Sequence, residues 1–374
     1  MNVLGLLPVV GQPRFAKRIA MLQEQGAEVH CLAFDRPYHK GRPPDCPLDV
    51  LGTIPHGRYV FRMRVFLRSI GVIRRRIKDA DAVYAFGLDM LLLGWLASLF
   101  LNKPLVLEIG DIRAVQTADG IEGRLFRGLD KWLVRRAALV VFTAEDFYRC
   151  YYRDWLGLRL NHRVIENKID FPVTRTGPEP PDDNDTLVIG YFGVLRCEWS
   201  VRALAALADA YPERLRIKVA GFSLLPVALL DDLDRRANVS VQGPYRSPQD
   251  LPALYDSVDM IWASYAPIAV DDWNLRWART NRFYEACAFA RPLVARWGSN
   301  DGKWVTDYDI GLTLDALEPE QVLSRFRDVG PAALRRWEGN MRALSPSVFA
   351  CTDEASSLHE AMRQLVSQES DDRS

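Results

Sequence analysis

The segment Thr280-Asn281-Arg282-Phe283-Tyr284-Glu285-Ala286-Cys287-Ala288-Phe289-Ala290-Arg291-Pro292-Leu293-Val294 concentrates groups that could do chemistry. Thr280 is a favoured helix N-cap, residues 281 to 290 fit a short helix, and Arg291-Pro292 ends it before an apolar run. A helix N-terminus offers unpaired N–H groups to a phosphate, and this one carries Asn281 and Arg282 in its first turn. Glu285, three residues after Arg282, can accept hydrogen bonds from a vicinal diol. A phosphate seat next to a diol acceptor describes a nucleoside diphosphate, so the segment is a candidate nucleotide-sugar site. The same residues also suit a capped surface helix with an Arg282–Glu285 ion pair.

Other candidates lie upstream. Ile189-Gly190-Tyr191-Phe192-Gly193-Val194-Leu195-Arg196 reads as a buried strand that ends in glycine and turns towards a helix over Glu198 to Tyr211. That geometry lets a phosphate approach the backbone at Gly193, with Arg196 following. Asn238 to Tyr245 and Asp250 to Met260 continue the series. In the first half, Leu107-Glu108-Ile109-Gly110-Asp111 places a carboxylate just beyond a strand end, and Gly11-Gln12-Pro13-Arg14 opens a helix. Arg58 to Lys78 contains Arg58, Arg62, Arg64, Arg68, Arg74, Arg75, Arg76 and Lys78 without one acid, interleaved with aromatic and aliphatic residues. Such a helix suits an anionic membrane surface, and equally a helix packed on a sheet with a solvated basic face.

Positioning these groups requires strands alternating with helices, and the chain has that pattern. Apolar runs near 2–7, 28–34, 81–86, 104–109, 138–143 and 163–166 alternate with helical patterns over 14–25, 61–79, 88–101 and 122–137. After a proline-rich and acidic stretch at 171–185, the alternation resumes at 187–192, 215–220, 238–242, 258–263, 292–296 and 309–314, and becomes wholly helical beyond 315. The class is α/β, with two doubly wound domains whose ligands bind beyond the carboxyl ends of the strands. Residues 90–101 are apolar all round but too short for a spanning helix, and read as buried core.

Composition narrows the partners. The chain has 374 residues with 48 Lys plus Arg and 48 Asp plus Glu. The balance disfavours a nucleic-acid binder, although residues 1–170 carry 26 basic and 18 acidic groups and the remainder 22 and 30. Six scattered cysteines make neither a zinc pattern nor a disulfide framework, no metal or cofactor is expected, and Met1-Asn2-Val3-Leu4-Gly5 reads as a first strand rather than a signal peptide. A cytoplasmic location fits.

In order and spacing, the series Gly190 to Arg196, Val219-Ala220-Gly221, Asn238 to Tyr245, Asp250 to Met260 and Thr280 to Val294 resembles the carboxyl-terminal donor domain of GT-B glycosyltransferases. The likeness is to the family-4 (group 1) type that builds bacterial polysaccharides and lipopolysaccharides. Gly11 to Leu22, Gly26-Ala27-Glu28-Val29 and Val164 to Asp170 are similar to segments of the same family's amino-terminal half. The resemblance implies a GT-B fold: an acceptor-binding domain at 1–170, a linker at 171–185, a donor domain at 186–350 and a C-terminal helix and polar tail at 351–374. It implies a UDP- or GDP-sugar bound by Gly193, Arg196, Tyr245, Asn281, Arg282 and Glu285, the last standing where the second glutamate of the family's E-x7-E pattern binds ribose. The acceptor would be a lipid-linked saccharide, reached through Arg14 and a membrane-facing Arg68, Arg74, Arg75 and Arg76, on the inner face of the cell membrane.

Three departures stand out. Trp277 replaces the first glutamate of the pattern, Val194 and Trp199 stand where the family's G-R-L-x-x-x-K loop often carries arginine and lysine, and Gly110 stands where many members carry histidine before Asp111. The missing charges would come from Arg196, Arg202 or Arg282. Asp111 is the candidate base for the acceptor hydroxyl, with Glu108 as the alternative, or else a capping or hydrogen-bonding aspartate. A nucleotide-sugar epimerase and a silent sugar-nucleotide-binding subunit are the competing functions.

Overall fold

The computed structural model describes residues 1–36, 43–54, 59–173, 186–268 and 273–371. Arg58, residues 174–185 of the expected linker and residues 372–374 of the expected tail lie outside them. The chain divides into two compact units, one of Met1–Asn167 with Thr352–Ser374, the other of Lys168–Cys351.

In the first unit the described residues form strands β1 (Asn2–Leu7), β2 (Glu28–Asp35), β3 (Leu48–Thr53), β4 (Ala82–Phe86), β5 (Leu105–Ile109), β6 (Leu139–Phe142) and β7 (His162–Val164). They make one parallel sheet of order β3-β2-β1-β4-β5-β6-β7. Every residue of β4, β5 and β6 is buried, as a parallel sheet covered on both faces requires. The connecting helices are α1 (Pro13–Glu24), α2 (Tyr59–Asp79), α3 (Leu88–Ser98), α4 (Ala114–Thr117) and α5 (Ile121–Val134), with a π-helical segment at Phe147–Trp155. The expected helix at 88–101 stops three residues early, because Phe100 and Asn102 take left-handed backbone conformations ahead of Pro104. α3 packs on β4, β5, α2 and α5, and Leu91, Leu93 and Ala97 are buried, so the apolar stretch is core. Among the described residues, no helix is long and apolar enough to cross a membrane.

The second unit repeats the plan. Strands β8 (Leu187–Phe192), β9 (Leu215–Ala220), β10 (Val239–Gln242), β11 (Met260–Trp262), β12 (Leu293–Arg296) and β13 (Gly311–Leu314) pair in parallel in the order β10-β9-β8-β11-β12-β13. Between and after them run α6 (Glu198–Ala210), α7 (Val227–Asp234), α8 (Leu251–Asp256), α9 (Trp273–Trp277), α10 (Asn281–Ala288), α11 (Asn300–Asp307), α12 (Val322–Phe326) and α13 (Pro331–Ala343). The chain then returns to the first unit as α14 (Glu354–Asp371), which packs on α1. In each sheet the strand order reverses once, between β1 and β4 and between β8 and β11. Those two switch points are where open parallel sheets receive ligands; Gly193 follows β8 and Arg14 lies in the first turn of the helix after β1.

Candidate active site

In the second unit the site is assembled at the carboxyl end of β8. Gly193 follows the strand with φ +108°, a conformation that side chains disfavour. Its Cα faces Arg282 and Tyr245: a Cβ built there would lie 3.6 Å from Arg282 Nη2 and 3.9 Å from the Tyr245 hydroxyl. Arg282 itself is buried. Its guanidinium donates to the carbonyls of Phe192 and Val194 and to the Tyr265 hydroxyl, 3.2 Å away, and lies over the Tyr191 ring at 4.7 Å. It therefore fixes the Gly193 loop from beneath. Arg196, exposed, lies over the Tyr265 ring at 5.5 Å. Burial pushes the Tyr265 phenol up, but Arg282 and Arg196 outweigh it and hold the group below its usual range.

The first turn of α10 is organised as its sequence demands. Thr280 accepts from Phe283 N at 3.2 Å and donates to the buried Asp301 at 2.7 Å. Burial raises the Asp301 carboxyl to about 6 in spite of the Thr280 hydroxyl and Arg279. Asn281 is exposed beside the cap, and Glu285, one turn on, accepts a 2.6 Å bond from the Tyr255 hydroxyl. Burial and the Glu285 carboxylate both push the Tyr245 phenol upward. Gly193, Tyr245, Arg282 and Arg196 thus share one locale, and the charge of Glu285, which is bonded to Tyr255, is felt at Tyr245. Arg202 pairs with Glu198 along α6. Trp199 turns its indole N–H to the Leu317 carbonyl and packs against the unit's core, while Trp277 is buried in α9 against Trp273. Both departures from the family pattern are packing residues.

In the first unit the centre is Glu108, wholly buried in β5. It accepts from Arg18 Nε at 2.8 Å and from the Tyr84 hydroxyl at 2.6 Å, and Arg14 Nε lies 3.5 Å from its other oxygen. Arg18 continues to the Ile165 carbonyl at 2.9 Å. Burial, then the Glu108 charge, drives the Tyr84 phenol well above its usual range. Fully enclosed and held by two arginines and a phenol, Glu108 is a structural anchor and not a group that can reach a hydroxyl in solvent.

Asp111 is largely exposed, with Arg14 Nη1 at 3.6 Å. The N-cap of α4 is Arg113, so Asp111 does not cap that helix. The glycine before it has a physical reason: a Cβ at position 110 would fall 1.6 Å from Arg14 Nη1. Arg14 occupies the volume that a side chain there would fill. Sequence reasoning passed over Arg18, Tyr84, Tyr255 and Tyr265. Arg18 had a signal, since it lies between Phe15 and Ile19 on the apolar stripe of α1, and Glu108 sits inside an apolar strand. A charge in each place calls for a buried partner.

The basic segment forms α2, which packs on α3 and β3 with Ser69, Ile73 and Ile77 buried. Arg68 and Arg75 are exposed. Arg74 instead caps the end of α3, donating to the carbonyls of Ala97 at 3.0 Å and Leu99 at 2.7 Å, and Arg76 pairs with Asp49 at 2.6 Å.

Comparison with known proteins agrees with this architecture. A glycosyl transferase 4-like domain matches residues 11–168. The succinoglycan biosynthesis protein ExoL of Rhizobium meliloti (strain 1021) is 28% identical over 351 residues, covering 88% of this chain and 85% of its own. Sucrose-phosphate synthase from Thermosynechococcus elongatus superposes with a TM-score of 0.75 at 14% identity, over 98% of this chain and 100% of its own. Anabaena HepE in complex with UDP gives 0.69 at 17% identity over the same shares, and it has also been solved with UDP-glucose. Residues 11–168 are a glycosyl transferase 4-like domain, and the chain is a glycosyltransferase of the GT-B fold.

Proposed function

We propose that the enzyme transfers a sugar from a nucleoside-diphosphate donor to a lipid-linked saccharide during cell-surface polysaccharide assembly, at an anionic membrane surface on the cytoplasmic side. The observation that carries the donor assignment is the locale of Gly193, Tyr245, Arg282 and Arg196 at the β8–β11 switch point, with the N-terminus of α10 and Glu285 beside it. Backbone N–H groups of that turn and the exposed Arg196 supply positive potential for the leaving diphosphate, and Glu285 supplies an acceptor for the ribose diol. Arg282 holds the loop in place. The UDP and UDP-glucose complexes of the similarly folded HepE favour uridine over guanosine, and the likeness to a succinoglycan biosynthesis protein favours an exopolysaccharide product.

The first unit, residues 1–170 in sequence terms, takes the acceptor. There Asp111 is the exposed carboxylate placed to take the acceptor proton, and Arg14 steadies it. The deciding experiment incubates the purified protein with UDP- and GDP-sugars and a membrane lipid extract. Sugar appearing on lipid supports the reading. Isomerised free donor would make the protein an epimerase, and nucleotide binding without turnover a silent subunit.

A further inference from the structure

The surface of α5 has a character that glycosyl transfer does not use. Its inner face is anchored by the buried Asp130, Leu133 and Val134. Its outer face presents Ile121, Leu125, Leu129 and Trp132 at helical spacing, exposed by 68%, 70%, 45% and 38%. Arg124 and Arg135 border this stripe and are themselves exposed, while Asp119 and Glu122 lie only at its first turn. The stripe runs on to the end of α3, where Phe100 is 94% exposed. Between the two helix ends lies a shallow cavity of about 380 Å³, lined by Trp95, Leu99, Phe100, Lys103, Arg135 and Arg136, with no acid in its wall. Arg136 lies over the ring of Trp132 at 3.6 Å.

Soluble surfaces rarely leave such a run of large apolar side chains uncovered. An aliphatic and aromatic stripe bordered by guanidinium groups matches an interface with acyl chains below and anionic headgroups above. The geometry points to α5 and the end of α3 as the face that docks on an anionic bilayer, with Ile121, Leu125, Leu129 and Phe100 entering the headgroup boundary and the cation-lined cavity receiving a lipid phosphate. This deepens the membrane part of the proposed function and moves it from α2, where Ile73 and Ile77 are buried, Arg74 binds the end of α3 and Arg76 pairs with Asp49.

The test is co-sedimentation of the full chain with phosphatidylcholine vesicles, with and without phosphatidylglycerol, beside thermal unfolding followed by circular dichroism as a check on folding of the first unit and nucleotide-binding calorimetry as a check on the second. The parent should bind the anionic vesicles and be released only in part by high salt, because part of the attraction is apolar. A variant carrying Ile121→Ser, Leu125→Ser and Leu129→Ser should lose binding at least about 10-fold with nucleotide affinity unchanged. Arg68→Gln with Arg75→Gln on α2 should cost less. A parent that binds while the triple variant binds equally well overturns the α5 assignment and leaves the membrane reading standing. A parent that binds no vesicle overturns both, and transfer to a soluble acceptor still decides the reaction. If the triple substitution instead dissociates an oligomer and spares vesicle binding, the stripe seats a second copy and the inference is wrong.

Discussion

A methyl group at position 110 would meet the end of a flexible side chain, not backbone. Gly110→Ala should therefore keep the fold but drive Arg14 away from Glu108 and Asp111, and leaving the buried Glu108 with one arginine should lower the melting temperature. Loss of the solvent-exposed Arg14–Asp111 pair, about 1 kcal/mol at most, predicts turnover lower by no more than roughly 5-fold. Arg14→Ala should do the same, and the double variant should be no worse than either single one; multiplied losses would show that the two positions act separately. Asp111→Asn keeps the shape but removes the proposed proton acceptor, so turnover should drop on the order of 100-fold with nucleotide affinity intact. For Glu285→Ala the split is reversed, with binding weakened by about 1.5–3 kcal/mol in calorimetry. Tyr255→Phe, which removes the 2.6 Å bond that orients Glu285, should show a smaller loss in the same direction. An unchanged affinity in Glu285→Ala would take the carboxylate out of the donor site.

Between elements, Asp130 has an unusual role. This buried carboxylate on α5 accepts from Gln116 at the end of α4 and from Tyr151 and Tyr152 of the π-helical segment. Burial raises it to about 6, against the three hydrogen bonds, from an ordinary 3.8. Its folded form holds the proton more tightly than the unfolded chain, so this contribution to stability is fullest below about pH 4 and is lost as pH rises through 6. Asp301 slopes the same way. Denaturant midpoints measured from pH 4 to 7 should decline for the parent, and in Asp130→Asn the decline should shrink by roughly half; an unaltered slope would assign the titration elsewhere. The element pattern was legible where burial was complete or nearly so: β1, β4, β5, β6, β8, β11 and β12 are apolar runs bounded by turns. It failed at β3, whose residues are only half-buried at the sheet edge and whose sequence Leu-Asp-Val-Leu-Gly-Thr has no sustained run. The π-helical segment was missed too, since Phe147, Tyr148, Tyr151 and Tyr152 are as suited to a strand as to a helix. For the site, capping and strand-end glycine revealed Thr280 and Gly193, but Tyr255 and Tyr265 are single tyrosines whose role exists only once the fold brings them beside Glu285 and Arg282.

At the scale of the molecule, the final helix belongs with the first residues. α14 packs on α1 after the chain has completed the second unit, and Leu358, Ala361 and Met362 are buried there. Burial of side chains of this size contributes about 1.5–3 kcal/mol each for the larger two, so truncation after Cys351 should lower the melting temperature of the first unit markedly while leaving nucleotide binding by the second largely in place. Equal melting of the truncated and full chains would show that α14 contributes little. α1 also carries Arg14 and Arg18, which makes the same truncation a probe of the Glu108 cluster from a distance. During synthesis, this arrangement separates the order of translation from the order of completion. The ribosome makes the first unit's strands earliest, yet the surface of α1 stays bare until α14 emerges, by which time every strand of the second unit is already outside. The half of the protein that is born first is therefore finished last, and in the interval it offers apolar surface to whatever chaperone attends the nascent chain.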